Sequence, residues 1–261
     1  MHIGKPILVN GNPPGSGRFP SICAPLVGRT RELLLAEVAV VVAKQPDLLE
    51  WRVDYFQEIG NQQAVITLAA EIRQVAGGIP LLFTRRSTQE GGEPTPLDEE
   101  QVVALITAVC ASRTVDLVDF EMNSDPARIA RVRAAAKANG IGLVLSFHNF
   151  QSTPSREILS QRFAQAQGLG ADVAKIAVMP QRLEDVLSLL SATLESSQTL
   201  DIPIVSMSMG GYGSLTRLFG GAFGSAMTFA VGASISAPGQ IPIEDMTTVL
   251  GILHKSMDQG R

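Results

Sequence analysis

The chain has only five lysines, at positions 5, 44, 137, 175 and 255. Four sit near a terminus or at the solvated end of a helical pattern, whereas Lys175 stands inside the apolar run "DVAKIAVM". Burying an unpaired ammonium depresses the lysine pKa by up to several units from about 10.4, and only the neutral amine is a nucleophile. Lys175 is therefore the candidate for Schiff-base chemistry on a carbonyl. The competing reading is a lysine whose stem lines a strand while its head pairs with a carboxylate. His148 favours the first reading. It ends the run "LVLSFH", while His2 and His254 lie near the termini. An imidazole one strand away from a buried amine suits proton transfer near neutral pH. The alternative for His148 is a structural ring bonded to a backbone carbonyl.

Three other stretches carry groups that such chemistry would need. In "TRRSTQEGGEPTP", Arg85, Arg86, Glu90 and Glu93 surround a Gly pair and two prolines. This is either a catalytic rim loop or a charged surface turn. In the first case the glycines let backbone approach a ligand, and Glu90 hydrogen-bonds the His148 nitrogen that does not move the proton. In "LLEWRVDYF" (48–56), strand alternation puts Glu50, Arg52 and Asp54 on one face and Leu49, Trp51 and Val53 on the other. Further on, "MSMGGYGSLTRLFGGAFG" reads as a Gly-rich loop with one arginine, Arg217. "SISAPGQIP" reads as a small-residue turn carrying Ser234, Ser236 and Gln240. Such a Gly-rich loop could hold a phosphate, but no lysine accompanies it; a mobile lid whose arginine takes a carboxylate fits at least as well. No metal constellation is read: the three histidines are scattered and neither cysteine has a partner at ligand spacing.

The elements that must position these groups follow from periodicity. Short apolar runs at 21–27, 48–54, 79–85, 115–121, 141–148, 172–179, 202–208 and 225–231 alternate with amphipathic patterns such as "TRELLLAEVAVVVAKQ" and "DPARIARVRAAAKANG". Several of those patterns open on Ser, Thr or Asp and close near Gly, as helices do. "IEDMTTVLGILHKSM" supplies an eighth helix. Strict alternation predicts an α/β fold of the (β/α)8 TIM-barrel type, one catalytic domain over residues 1–261. A doubly wound open sheet is the competitor, and "PLVGRTRE" lacks its Gly-rich fingerprint. Residues 1–20, with "ILV", "NGNPPGSG" and "RFP", are expected to form an N-terminal β-hairpin. In a barrel, chemistry lies at the C-terminal ends of the strands, where Lys175, His148 and the charged rim segments fall.

Composition bounds the partners. Apolar residues make up 45% and charged residues 18%, with a formal net charge of −4. That balance gives no electrostatic reason to expect nucleic acid or an anionic membrane. Two cysteines do not make a disulfide framework, and a reducing cytoplasm fits them. The N-terminal apolar stretch is too short for a secretory signal, and no run is long enough to span a membrane.

Together these motifs resemble the type I 3-dehydroquinate dehydratase family. The resemblance rests on "EWRVD", "FTRRSTQEGGE", "SFHNF", "AKIAVMP", "SMSMG", "RLFGGAFGSAMTF" and "SAPGQI", in that order along the barrel. It implies a cofactor-free hydro-lyase, usually a homodimer, that converts 3-dehydroquinate to 3-dehydroshikimate in the shikimate pathway. It further implies that Lys175 forms an imine with the C3 ketone and that His148 takes the C2 proton. By the same resemblance, Glu90 is expected to orient and polarise His148. Arg217, Ser236 and Gln240 match positions that bind the substrate carboxylate; Glu50, Arg52 and Arg86 match those that hold its ring hydroxyls. Asp54 has no assigned role. Pro25 stands where some members have a serine, so one side-chain hydrogen bond is missing, and "GGYGS" lacks charges that some members carry. The chain ends after one barrel, so no fused shikimate dehydrogenase domain is expected. Two rivals remain: another Schiff-base barrel enzyme such as an aldolase, and a non-catalytic relative that senses the ligand.

Overall fold

A computed structural model describes residues 4–15, 17–234 and 237–258. The chain alternates β1 (Ser21–Leu26), α1 (Arg31–Val42), β2 (Leu48–Arg52), α2 (Gln62–Ala76), β3 (Leu81–Thr84), α3 (Glu99–Ser112), β4 (Leu117–Glu121) and α4 (Pro126–Asn139). It continues with β5 (Gly142–Asn149), α5 (Arg156–Gly168), β6 (Val173–Val178), α6 (Leu183–Thr199), β7 (Ile204–Ser208), α7 (Gly210–Phe219), β8 (Met227–Val231), β9 (Ile241–Pro242) and α8 (Ile243–Asp258). Each of the eight strand-like runs becomes a strand. Side-chain caps explain several helix starts: Thr30 accepts from the Leu33 N–H, Ser155 from Ile158, and Asp98 forms a capping box with Gln101. Gly77 and Gly140 end α2 and α4 in the left-handed region.

All pairings between neighbouring strands from β1 to β9 are parallel, and β8 returns to lie beside β1. The ring closes between β7 and β8 by one bridge, Ile204 with Ser225, in which the Ala226 N–H donates to the Ile204 carbonyl at 2.7 Å. Ser225 Oγ adds to that seam by accepting from the Ser206 N–H at 3.0 Å. Period-two alternation then divides each strand between two environments. Leu49, Trp51 and Val53 face the helices, where Trp51 meets Phe56 and Phe83 edge-on at 5.9 and 5.6 Å. Truncating such a buried indole costs about 3–5 kcal/mol. On the inner side Leu48, Leu82, Leu117, Val144, Val173 and Val205 fill the lower barrel. Two residues further along each of these strands, Glu50, Thr84, Asp119, Ser146, Lys175 and Met207 stand above that apolar floor. The floor excludes water from below, so the groups above it interact at low dielectric.

The described residues before β1 cover the N-terminal end of the barrel: Ile7 joins the inner cluster, and Val9 and Phe19 pack on it. Of the hairpin expected over residues 1–20, these residues carry a single antiparallel bridge, Val9 with Asn12, and no strand. The stretch expected to be a Gly-rich loop after β7 is instead the helix α7 with a 3-10 turn behind it. Its glycines serve packing: a Cβ at Gly213 would collide with the Ser208 carbonyl, so only glycine lets α7 sit on the end of β7. Thr216 Oγ1 then accepts from the Ser208 N–H at 2.8 Å.

Candidate active site

Lys175 leaves β6 pointing into the mouth, 3% exposed, with its ammonium over the Phe229 ring at 4.5 Å. It is not the unpaired amine that its local sequence suggests. Nζ lies 3.3 Å from Glu50 Oε1 and 3.2 Å from Asp119 Oδ2. The head is paired with carboxylates, and it lines a pocket. Glu50 Oε1 also accepts from Thr84 Oγ1 at 3.0 Å, which fixes the carboxylate. Asp119 accepts from Ser146 Oγ at 2.6 Å and pairs with Arg86 Nη2 at 2.9 Å. Burial alone would raise its pKa, but Arg86 and Lys175 hold the Asp119 carboxyl below its ordinary value.

His148, near the end of β5, has its Nδ1 2.9 Å from Glu90 Oε2, and the same oxygen accepts the His148 backbone N–H at 3.0 Å. Two bonds to one carboxylate fix the ring and direct Nε2 as the nitrogen left for a ligand. Glu90 is 3% exposed. Burial, then Glu121, pushes its carboxyl up to about 8 against the pull of Arg86. Burial, then Arg86 and Lys175, also drives the His148 imidazole well below its ordinary value. A neutral imidazole at rest is the state required of a general base. The Gly pair after Glu90 has a structural cause in this loop. Gly91 is left-handed at φ +82 and lies against the Phe150 ring, and a Cβ at Gly92 would collide with the Arg86 carbonyl.

The charged trio around β2 separates into two roles. Glu50 and Arg52 line the pocket with Arg86, Glu90, His148 and Lys175. Asp54 sits in the 3-10 turn behind them and binds Arg52 in two parallel bonds, Nε to Oδ1 at 2.8 Å and Nη2 to Oδ2 at 2.7 Å. It also accepts the backbone N–H groups of Arg86 and Glu93 at 3.3 and 3.0 Å. Asp54 therefore holds Arg52 and the loop after β3, and it does not line the pocket. Arg86 is itself fully engaged, with Nη1 2.9 Å from Ser146 Oγ and 3.2 Å from Glu121 Oε1.

Across the mouth, α7 delivers Arg217, 1% exposed. Its neighbours are Met207 Sδ at 3.7 Å and the Pro238 carbonyl at 3.2 Å; among the described residues no carboxylate pairs with it, and Nε has no hydrogen-bond partner. Burial pushes its guanidinium down to about 10. Gln240 reaches the same pocket. Ser236 lies outside the described residues. Pro25 stands in β1 opposite Glu50, and the β1–β8 ladder stops at Cys23, two residues before it.

Sequence reasoning passed over Asp119 and Glu121, though "VDLVDFE" carries the same alternation of charge within an apolar strand as "LLEWRVD". Applying the alternation test to every strand would have found them. Asn123, whose Nδ2 donates to Glu90 Oε1 at 3.0 Å, gave no such signal.

A closed α/β barrel that gathers an amine, an oriented imidazole and an unpaired arginine at its C-terminal mouth belongs to the class of barrel enzymes that act on small anionic carbonyl compounds. The family model described as "Type I 3-dehydroquinase" matches residues 22–257. The chain belongs to that family. A curated relative, the 3-dehydroquinate dehydratase of Albidiferax ferrireducens, is 60% identical over 261 residues, which is 100% of this chain and 99% of the relative. The crystal structure of 3-dehydroquinate dehydratase from Geobacillus kaustophilus matches with a TM-score of 0.94 and 50% identity, over 98% of this chain and 99% of that one. The type I enzyme from Clostridium difficile, solved with covalent modified comenic acid, matches with a TM-score of 0.91 and 39% identity over 97% of this chain and 99% of that one.

Proposed function

We propose that the chain, as one catalytic domain over residues 1–261, removes water from 3-dehydroquinate to give 3-dehydroshikimate in the shikimate pathway, through an imine on Lys175. The observation that carries this reading is the pocket itself, in which Lys175 and the His148–Glu90 pair face the unpaired Arg217. The Lys175 ammonium passes one proton to His148, the amine attacks the C3 ketone, and the carbonyl oxygen leaves as water with one N–H proton and the proton returned by His148, giving a protonated imine. His148 Nε2 takes the proton from C2, and the C–H electron pair moves toward the iminium. As the C1–O bond breaks, the hydroxide leaves with a proton from His148, and a C1–C2 double bond forms. Water then hydrolyses the imine and frees Lys175.

The flanking carboxylates support this sequence of steps. The iminium nitrogen keeps the positive charge of the resting ammonium, so Glu50 and Asp119 stabilise it without reorganising. Arg217 supplies the charge for the substrate carboxylate, with Gln240 and Ser236 closing over it, while Glu50, Arg52 and Arg86 face the ring hydroxyls. The same reading includes a cytoplasmic homodimer that needs no cofactor. The free, buried Cys23 and Cys110 suit a reducing compartment.

The test is to mix protein with 3-dehydroquinate, add borohydride, and map the modified peptide by mass spectrometry. A reduced, ligand-derived adduct on Lys175 is expected. No adduct, or one on Lys5, Lys44, Lys137 or Lys255, would overturn the imine.

A further inference from the structure

Behind the His148–Glu90 pair lies a second, polar cavity of about 490 Å³ that shares Glu90 and His148 with the substrate pocket and is bordered by Glu121 and Asn123. The pair is thus a partition with two faces. Asn123, exposed in the β4–α4 connection, touches only the rear face: its Nδ2 donates to Glu90 Oε1 at 3.0 Å. Its Oδ1 accepts from Arg162 Nη1 at 3.2 Å, and that guanidinium lies over the Phe147 ring at 4.6 Å. Arginine has no acceptor, so Arg162 settles which end of the Asn123 amide faces which neighbour. Oxygen must face Arg162, and the NH2 group must face Glu90.

Resting on the function proposed above, we propose that Asn123, fixed by Arg162, is a positioning residue that keeps Glu90 a hydrogen-bond acceptor toward His148. A donor held against Oε1 favours the carboxylate form. A Glu90 carboxylate accepts Nδ1–H, and the Nε2 lone pair then faces C2. A protonated Glu90 instead donates to Nδ1, which places hydrogen on Nε2 and removes the base. The other charged groups facing Glu90 are Arg86 from the loop after β3, with Nη1 at 3.7 Å, Asp119 and Glu121 from β4, and His148 from β5. In the rear cavity Arg85 is paired with Glu99 at 2.9 Å and Arg128 with Glu100 at 2.8 Å, which leaves Asn123 as the donor nearest Oε1. Asp125 borders the same cavity.

The experiment is the pH dependence of kcat/KM for 3-dehydroquinate dehydration in the parent, Asn123→Leu, Asn123→Asp and Arg162→Met, followed by the ultraviolet absorbance of the enone product. In Asn123→Leu the acid limb should move up by about one pH unit, the scale of one hydrogen bond to a charged group. Asn123→Asp keeps the shape, replaces the donor with a second carboxylate, and should move the limb further in the same direction. Arg162→Met frees the amide to turn over and should give a smaller upward shift. Superimposable profiles across the four proteins overturn the proposal, as does a downward shift. A purely structural role would lower the plateau and leave the limb in place, and Asn123→Asp would then resemble the parent. Borohydride trapping on Lys175 separates the two readings. Variants that trap normally with an unmoved limb defeat the role of Asn123 alone; a parent that neither traps nor turns over defeats the function and this inference with it.

Discussion

The two walls of the barrel mouth treat buried positive charge in opposite ways. On the wall built by β2 to β6, Arg52, Arg86 and Lys175 are each within about hydrogen-bond reach of carboxylates: Asp54 for the first, Asp119 and Glu121 for the second, Glu50 and Asp119 for the third. Burial would lower the pKa of Arg52, yet the bonds to Asp54 hold it above its ordinary value. On the facing wall, Arg217 is as deeply buried and has a thioether and one carbonyl for company. Its guanidinium is pushed down, to about 10, by burial alone. The first wall is complete before any ligand arrives. The second is a desolvated cation with no carboxylate beside it among the described residues, which is the difference between a structural ion pair and the anion-binding subsite proposed for Arg217.

Removing the lone cation is the strongest way to break that contrast. Arg217→Met should lower kcat/KM for 3-dehydroquinate by about 10²–10³-fold, because a desolvated charge pair with the substrate carboxylate is lost. The same change should raise the melting temperature by a few degrees, since it removes an uncompensated buried charge and leaves a side chain of similar length beside Met207. Activity and stability moving in opposite directions is the signature. A fall in melting temperature measured by calorimetry would show that Arg217 is compensated within the fold, and the distinction between the walls would fail.

The paired wall is not neutral, and that imbalance can be titrated. Glu50, Asp54, Glu90, Asp119 and Glu121 face Arg52, Arg86 and Lys175, an excess of carboxylates that burial shifts onto Glu90. Its folded-state value of about 8 exceeds the unfolded value of about 4.3. The folded chain therefore keeps a proton that the unfolded chain gives up, and the stability this contributes is present below about pH 4.3 and lost as pH rises toward 8. Glu90→Gln removes the linkage. Its melting temperature should gain on the parent between pH 5 and pH 8.5, while kcat measured above pH 8, where Glu90 is ionised, falls by about 10–10²-fold because the imidazole loses its anionic acceptor. A constant difference in melting temperature across that range would mean that Glu90 does not titrate between the two states.

The unequal walls were unequally legible. Short apolar runs located every barrel strand, and period-two alternation gave the faces of β2 correctly, because a strand buried on both sides has no other way to carry Glu50 and Arg52. Lys175 and His148 stood out for the same reason. What alternation does not carry is partnership between strands. The apolar neighbours of Lys175 in sequence leave open whether its ammonium is paired, because its partners come from β2 and β4, 125 and 56 residues away. On the opposite wall the glycines after β7 argued for a loop. Close approach to the Ser208 carbonyl overrode that weak propensity and made the helix that buries Arg217.

Asp54 is the subtlest member of the compensated wall, since it touches the ligand-facing groups without lining the pocket. Asp54→Asn keeps one acceptor oxygen and loses the second bond to Arg52, so Arg52 should remain in place with less restraint. The expected result is a KM raised by up to about tenfold with kcat nearly unchanged, because Lys175 and His148 are held by other partners. Arg52→Gln should raise KM by itself. If Asp54 acts on the substrate only through Arg52, adding Asp54→Asn to Arg52→Gln should change KM little further, and the double-mutant cycle should show a coupling near the full single-mutant effect. Additive effects would instead assign the influence of Asp54 to the backbone N–H groups of Arg86 and Glu93. The restraint on the loop after β3, and through it on Glu90, would then outweigh the ion pair.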